Sequence, residues 1–116
     1  MIISGNPDTV EKVIAPLQQK YDDLLNIYLS QPFYLAIMPQ KVDKAYALEK
    51  LLKHLGLTTE SMICCGDGYN DISMIKHAGL GVAMANAQAA VKDAADFITR
   101  SNDKDGILHV IDLFMR

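Results

Sequence analysis

The chain has 116 residues, of which half are hydrophobic and 22% are charged, and its formal net charge is -3 at pH 7. This balance is typical of a globular domain, and no run approaches the ~20 apolar residues that a membrane-spanning helix needs. The charged residues are scattered, without the basic patch that nucleic-acid-binding proteins carry. The first residues do not resemble a secretion signal, so we expect a cytoplasmic protein.

The first third of the sequence predicts a helix flanked by strands. Apolar residues recur at helical spacing after Pro7, and short runs rich in β-forming residues stand on either side. The predicted strands are Met1–Ser4, Asn26–Ser30 and, beyond Pro32, Phe33–Met38, and the predicted helix covers Asp8–Tyr21.

From Asp43 onwards the pattern is helical again. Asp43 is placed to cap this helix, and Gly56 follows it where a left-handed backbone commonly ends a helix. Strands and helices then alternate strictly, which predicts βαβ units and a parallel sheet. The predicted strands are Ser61–Cys65, Leu80–Met84 and Phe97–Thr99, and the helices are Asp71–Ala78, Ala87–Ala95 and Gly106–Phe114.

The strand around Cys64 and Cys65 is apolar at every position, which is typical of a strand covered by helices on both faces. We therefore expect it to be central in the intact sheet. The two cysteines are neighbours, and a disulfide between them would be strained, so we interpret them as reduced core residues. The three histidines lie far apart on predicted helices, which argues against a zinc site.

The segment Gly66–Asp71, GDGYND, lies between this buried strand and the next helix, where open α/β sheets bind ligands. Asp67, Asn70 and Asp71 offer the hard oxygen ligands that Mg²⁺ prefers, and the glycines permit a tight turn. Alternatively, these residues only form turn hydrogen bonds and cap the following helix. Their spacing alone leaves both interpretations open.

Lys44 is a second candidate site residue. It lies in the first turn of its predicted helix, where a cation faces the positive end of the helix dipole and gains nothing locally. A lysine there could supply positive charge to a phosphate oxygen near the helix-terminal amides. The alternative is a solvated surface lysine.

The order and spacing of four motifs resemble those of Cof-type haloacid dehalogenase (HAD) phosphatases of class IIB. The motifs are Val42-Asp43-Lys44, Gly66–Met74 (GDGYNDISM), Gly81–Ala87 (GVAMANA) and Asn102–Gly106 (NDKDG). The resemblance implies an α/β fold: residues 36–116 would form the C-terminal half of a Rossmann-like HAD core with a parallel sheet, and residues 1–35 the remnant of an α/β cap domain. Ala45 and Ala85 replace glycines common in the family, and these small changes put neither site in doubt.

The resemblance also implies roles for the candidate residues. Lys44 matches a lysine that steadies the phosphoryl group and the nucleophile, and Asn70 matches an amide that contacts phosphate. Asp67 matches a Mg²⁺ ligand, and Asp71 matches a second acid that orients the lysine or acts at the metal. The implied activity of the full-length protein is Mg²⁺-dependent hydrolysis of a phosphate monoester, with a sugar phosphate or similar small metabolite as substrate.

The nucleophile of this family lies in an Asp-x-Asp-Gly motif at the end of a hydrophobic strand, and the chain has no such motif in that context. Its one literal match, Asp103–Gly106, follows polar residues instead of a hydrophobic strand, so we interpret it as a helix cap. A calcium-binding EF-hand loop does not fit this stretch either, because Ser101 would stand in the first ligand position. We expect the chain to be inactive alone and to form a homo-oligomer or join a missing N-terminal portion. The alternative function is a noncatalytic assembly module that pairs through an exposed sheet edge.

Overall fold

A computed structural model describes all 116 residues, which divide into two compact units, Met1–Asp43 and Lys44–Arg116. The division falls later in the chain than the expected boundary between residues 35 and 36. The strand that begins at Tyr34 pairs with both other strands of the first unit. Because of this pairing, the first unit extends beyond residue 35. The assignment of the units to a cap and a core stays a prediction. Among the helices, none combines the length and apolar character that a membrane span requires.

The first unit is a three-stranded antiparallel sheet with one helix. Its elements are β1 (Ile2–Ser4), α1 (Pro7–Tyr21), β2 (Leu25–Gln31) and β3 (Tyr34–Pro39), and the strand order is β1-β3-β2. The side chain of Asn6 caps α1 by accepting a hydrogen bond from the Asp8 amide at 3.0 Å. The helix packs Val10 against Ile27 and Leu35, which together form the core of this unit. The predicted strand-helix-strand opening is thus confirmed.

The second unit alternates helices and strands, as the sequence predicts, around a parallel sheet of order β4-β5-β6. Its strands are β4 (Ile63–Gly66), β5 (Leu80–Ala83) and β6 (Phe97–Ile98). Its helices are α2 (Lys44–Leu55), α3 (Ile72–His77), α4 (Ala89–Asp93) and α5 (Gly106–Phe114). The helices α3 and α4 are shorter than predicted. Residues 69–71 form a 3₁₀ turn, and Ala87 donates to the Met84 carbonyl in a turn before α4 begins.

Two groups of buried side chains hold this unit together. Leu52 of α2 packs with Met62 and Cys64, and a second cluster joins α3, β5 and α4 through Ile75, Ala83, Ala87 and Val91. Both cysteines are free, as expected. Burial raises the pKa of each thiol, and the neighbouring Cys65 raises that of Cys64 further, which keeps both protonated at neutral pH.

Two glycines occupy positions that a larger residue would strain. Gly56 follows α2 with a φ of +70°, so the predicted left-handed helix end is confirmed. Gly81 in β5 lies so close to α3 that a Cβ atom there would be 2.2 Å from the Ile75 carbonyl oxygen. This close approach of helix and strand is possible only without a side chain.

The Asp103–Gly106 stretch leads into α5, but Asp105 does not cap the helix with its side chain. Asp105 has a left-handed backbone with a φ of 52°, and its carbonyl accepts a helical hydrogen bond from the His109 amide at 3.0 Å. The amide of Gly106 donates to the Ser101 carbonyl at 3.1 Å. Asp105 therefore stands at the N-cap position of α5, in agreement with the predicted helix cap, but backbone groups and not its side chain stabilise the helix start.

Candidate active site

The loops that follow the three parallel strands of the second unit meet at one edge of the sheet. The Met84 amide donates to the Gly66 carbonyl at 2.9 Å, which joins the ends of β4 and β5. The Ala85 amide donates to the Arg100 carbonyl at 3.3 Å, which joins the loop after β5 to that after β6. In open α/β folds, this carboxyl edge of the sheet is where ligands bind.

Asp71 is a buried acidic group at this edge, with 6% of its surface exposed. Its Oδ2 accepts hydrogen bonds from the backbone amides of Asp67 and Gly68, both at 3.1 Å. Its Oδ1 forms an ion pair with Nζ of Lys44. The carboxylate therefore closes the turn that begins at Asp67 and fixes the lysine at the same time. It bonds to no amide of α3, so it caps the 3₁₀ turn and not that helix.

Glycine at position 66 makes room for this arrangement. A Cβ atom on Gly66 would lie 2.4 Å from Cβ and 2.8 Å from Oδ2 of Asp71, which no side chain could tolerate. The turn glycines of GDGYND thus let the backbone fold closely around a buried carboxylate.

The ionisation of Asp71 is set by opposing effects. Burial disfavours the charged form, but the hydrogen bonds from Lys44, Gly68 and Asp67 and the charge of the lysine outweigh it, and the pKa of Asp71 lies below its ordinary value. Asp71 is therefore an anion at neutral pH. It anchors the ammonium group of Lys44, and 47% of the surface of this lysine side chain is exposed, so a ligand can reach it.

The lowered pKa predicts how stability depends on pH. A carboxyl group whose pKa is lower in the folded state stabilises the fold above its unfolded pKa, and this contribution is lost as the pH falls through the folded pKa. We expect Asp71→Asn to reduce the free energy of unfolding at pH 7 by about 1–3 kcal/mol. At pH values below the folded pKa of Asp71, the free energies of unfolding of the wild type and of Asp71→Asn should converge.

Urea unfolding measured from pH 7 to the acid limit of folding checks this expectation. Asp93→Asn is the matched control, because Asp93 is exposed at the end of α4. An equal loss of stability at every pH in Asp71→Asn would contradict the role of the charge.

Asp67 lies beside this ion pair with an exposed carboxylate. Its Oδ2 accepts a hydrogen bond from Nδ2 of Asn86 at 3.1 Å, and Oδ1 of Asn86 accepts one from the Asn102 amide at 3.0 Å. The two asparagines stand in motifs that carry the family resemblance, but the sequence suggested no role for them. Their positions in the loops that follow β5 and β6 are the signal that could have placed them at this edge.

Asn70 also lies on the exposed side of the 3₁₀ turn, with its Oδ1 packed over Gly68, where a Cβ atom would be 2.7 Å away. The structure therefore brings Asn70 onto the same turn as Asp67 and Asp71, and joins Lys44 to that turn through Asp71. All four residues predicted for the site belong to the second unit.

The oxygen groups at this edge are of the kind that Mg²⁺ prefers, but they could supply only part of its coordination shell. No three His, Cys, Asp or Glu side chains are grouped to hold a metal by themselves. Mg²⁺ is commonly bound by one or two carboxylates, with waters and substrate phosphate completing its shell, and the exposed Asp67 suits that role. Both oxygens of Asp71 are already engaged, so its expected metal role has no support in this arrangement beyond the resemblance.

A separate cleft of about 380 Å³ lies within the first unit. Its polar lining includes Gln18 and Gln40, whose amides already donate to backbone carbonyls of Ile27 and of Asp22 and Leu25. None of the predicted site residues contributes to it.

Residues 1–111 match the haloacid dehalogenase-like hydrolase family. The chain belongs to this family. It is 47% identical over 104 residues to the 5-amino-6-(5-phospho-D-ribitylamino)uracil phosphatase YcsE of Bacillus subtilis, a match that covers 90% of this chain and 41% of the relative.

Solved structures of this family agree with the fold. A haloacid dehalogenase-like hydrolase from Bacteroides thetaiotaomicron superposes with a TM-score of 0.82 and 46% identity, covering 96% of this chain and 42% of that protein. The HAD subclass IIB sugar phosphatase BT4131 superposes with a TM-score of 0.84 and 30% identity, over 97% of this chain and 41% of that protein. The expected HAD-like α/β fold is confirmed, and the chain spans about two fifths of the length of these relatives.

Proposed function

We propose that this chain supplies the lysine and acidic-loop part of the active site of a Mg²⁺-dependent phosphate monoester hydrolase. The observation that carries the proposal is the Lys44–Asp71 ion pair, formed on the turn that also presents Asp67 and Asn70 at the carboxyl edge of the sheet. The pair holds an exposed ammonium group where a phosphate oxygen can reach it.

The charge of the site favours a metal-dependent reaction. Asp67, Asp71 and Lys44 together carry a net charge of -1, which would repel a phosphate dianion. A bound Mg²⁺ would reverse this balance and offset charge on the phosphoryl group. In our proposal Asp67 binds the ion, Lys44 contacts a phosphoryl oxygen, Asn70 donates to another, and Asp71 orients the lysine.

The names of the relatives support a substrate class. YcsE is named as a phosphatase for a phosphorylated ribityl compound, and BT4131 is described as a sugar phosphatase. We propose a sugar phosphate or a similar small phosphorylated metabolite. We further propose that the nucleophile comes from residues outside this sequence, so that the 116 residues alone do not turn over substrate.

Complementation tests this proposal. The chain is mixed with the part of YcsE that it does not match, and hydrolysis of p-nitrophenyl phosphate is measured with Mg²⁺ and with EDTA. We expect turnover only when both parts and Mg²⁺ are present. The positive control pairs the same YcsE part with the YcsE portion that this chain matches. Turnover by the chain alone, or activity in the control but not with this chain, would contradict the proposal.

A noncatalytic assembly module is the second candidate function, and the position of β4 favours it. This strand pairs with β5 on one side only, and Ile63 and Cys65 on it are half-buried. An unpaired strand edge offers amides and carbonyls to a further strand. Light scattering on the chain alone tests whether the chain pairs with itself. Self-pairing should give twice the monomer mass of 12.8 kDa, and a measured mass equal to that of the monomer would exclude self-pairing.

A further inference from the structure

Asn86 lies in the turn between β5 and α4, and its side chain joins the loops that follow all three parallel strands. Its Nδ2 donates to Oδ2 of Asp67 at 3.1 Å, and its Oδ1 accepts from the backbone amide of Asn102 at 3.0 Å. Because a backbone amide can only donate, Oδ1 must face Asn102, and this leaves Nδ2 to face the carboxylate. Both ends of the amide are thereby assigned.

The hydrogen bond from Asn86 restricts a carboxylate that is otherwise exposed. An unrestrained aspartate at the surface loses rotamer freedom when it binds an ion, and this loss weakens binding. A donor that already occupies Oδ2 holds the side chain in one orientation and leaves Oδ1 for a cation. Groups that hydrogen-bond to metal ligands in this way commonly change metal affinity when they are removed.

We propose that Asn86 is a positioning residue, which orients Asp67 for a divalent cation and ties that carboxylate to the loop after β6. This inference rests on the function proposed above, because it takes Asp67 as the cation ligand. It adds a residue that touches neither the cation nor the phosphate.

The backbone around Asn86 is held independently of its side chain. Met84, Ala85 and Ala87 donate backbone hydrogen bonds to the carbonyls of Gly66, Arg100 and Met84, at 2.9, 3.3 and 2.9 Å. The side chain of Asn86 is exposed. Replacing it should therefore leave the turn folded and remove only the two side-chain hydrogen bonds.

The test follows the backbone amides of residues 66–70 by ¹H–¹⁵N NMR of the whole chain during a Mg²⁺ titration. Asn86→Ala should raise the Mg²⁺ concentration at half-maximal shift by roughly 10-fold. It should also speed hydrogen exchange at the Asn102 amide, while the melting temperature stays unchanged.

Two further variants serve as controls. Asn86→Asp keeps an oxygen that can accept the hydrogen bond from the Asn102 amide, so hydrogen exchange at that amide should stay as slow as in the wild type. Gln88→Ala is the matched control, because Gln88 is exposed and its side chain caps no helix amide.

The outcomes separate this inference from the proposed function. A wild-type chain that responds to Mg²⁺, with Asn86→Ala responding at the same concentration, would overturn the role of Asn86 alone. A wild-type chain whose amides at residues 66–70 do not respond at any Mg²⁺ concentration would overturn both the metal assignment of Asp67 and the positioning role.

Discussion

Asp67→Asn is expected to lower Mg²⁺-dependent turnover of the complemented phosphatase by about 100-fold or more. The asparagine oxygen can still accept the hydrogen bond from Asn86, so the shape of the turn is kept. Only the negative charge is lost, and a neutral amide is a much weaker ligand for Mg²⁺. The measurement is kcat for p-nitrophenyl phosphate across a Mg²⁺ titration.

Two other variants make the result specific to the metal. Asp93→Asn removes an exposed carboxylate of α4 and should leave the Mg²⁺ titration unchanged. Asp71→Asn should lower kcat even at saturating Mg²⁺, because it frees Lys44, while the Mg²⁺ concentration at half-maximal rate stays near that of the wild type. Unchanged turnover in Asp67→Asn would contradict the ligand assignment.

Most elements of the fold could be predicted because each has a local signal. The apolar periodicity and the glycine after α2 indicated its end, and α5 has the predicted bounds, Gly106–Phe114. The pairing of β3 between β1 and β2 could not be read from the sequence, because strand order depends on contacts between distant residues. For the same reason, the sequence did not reveal that β3 belongs to the first unit.

The site could be predicted only in part. The segment GDGYND after a buried strand indicated Asp67, Asn70 and Asp71, and the resemblance implied that an acid of this loop orients Lys44. The ion pair itself depends on the packing of α2 and on the conformation of the turn. The position of Asn86 after β5 could have placed it at this edge, but its hydrogen bonds could not be predicted, since an asparagine in a turn is common and its partners lie in loops that only the folded sheet brings together.

Gly81→Ala is expected to destabilise the second unit by about 3 kcal/mol or more. The added Cβ would lie 2.2 Å from the carbonyl oxygen and 2.9 Å from Cγ2 of Ile75, a residue that is 1% exposed. The oxygen belongs to the backbone of α3 and cannot rotate away. The strand is also fixed, because the amide of Gly81 donates to Oδ2 of Asp96 and its carbonyl accepts from the Asp96 amide, both at 2.8 Å.

Thermal unfolding measures this effect, with Gly56→Ala as the matched control. Gly56 has a left-handed backbone, but a Cβ atom added there would have no neighbouring atom within 4 Å, so alanine should cost only about 1–2 kcal/mol. For a domain of this size, 3 kcal/mol lowers the melting temperature by about 12 °C or more. A loss in Gly81→Ala no larger than in Gly56→Ala would contradict the close packing of α3 on β5. Since α3 directly follows Asp71, a helix displaced by the new methyl group would also move that carboxylate from Lys44. In the complemented phosphatase, the variant should therefore lower turnover as well as stability.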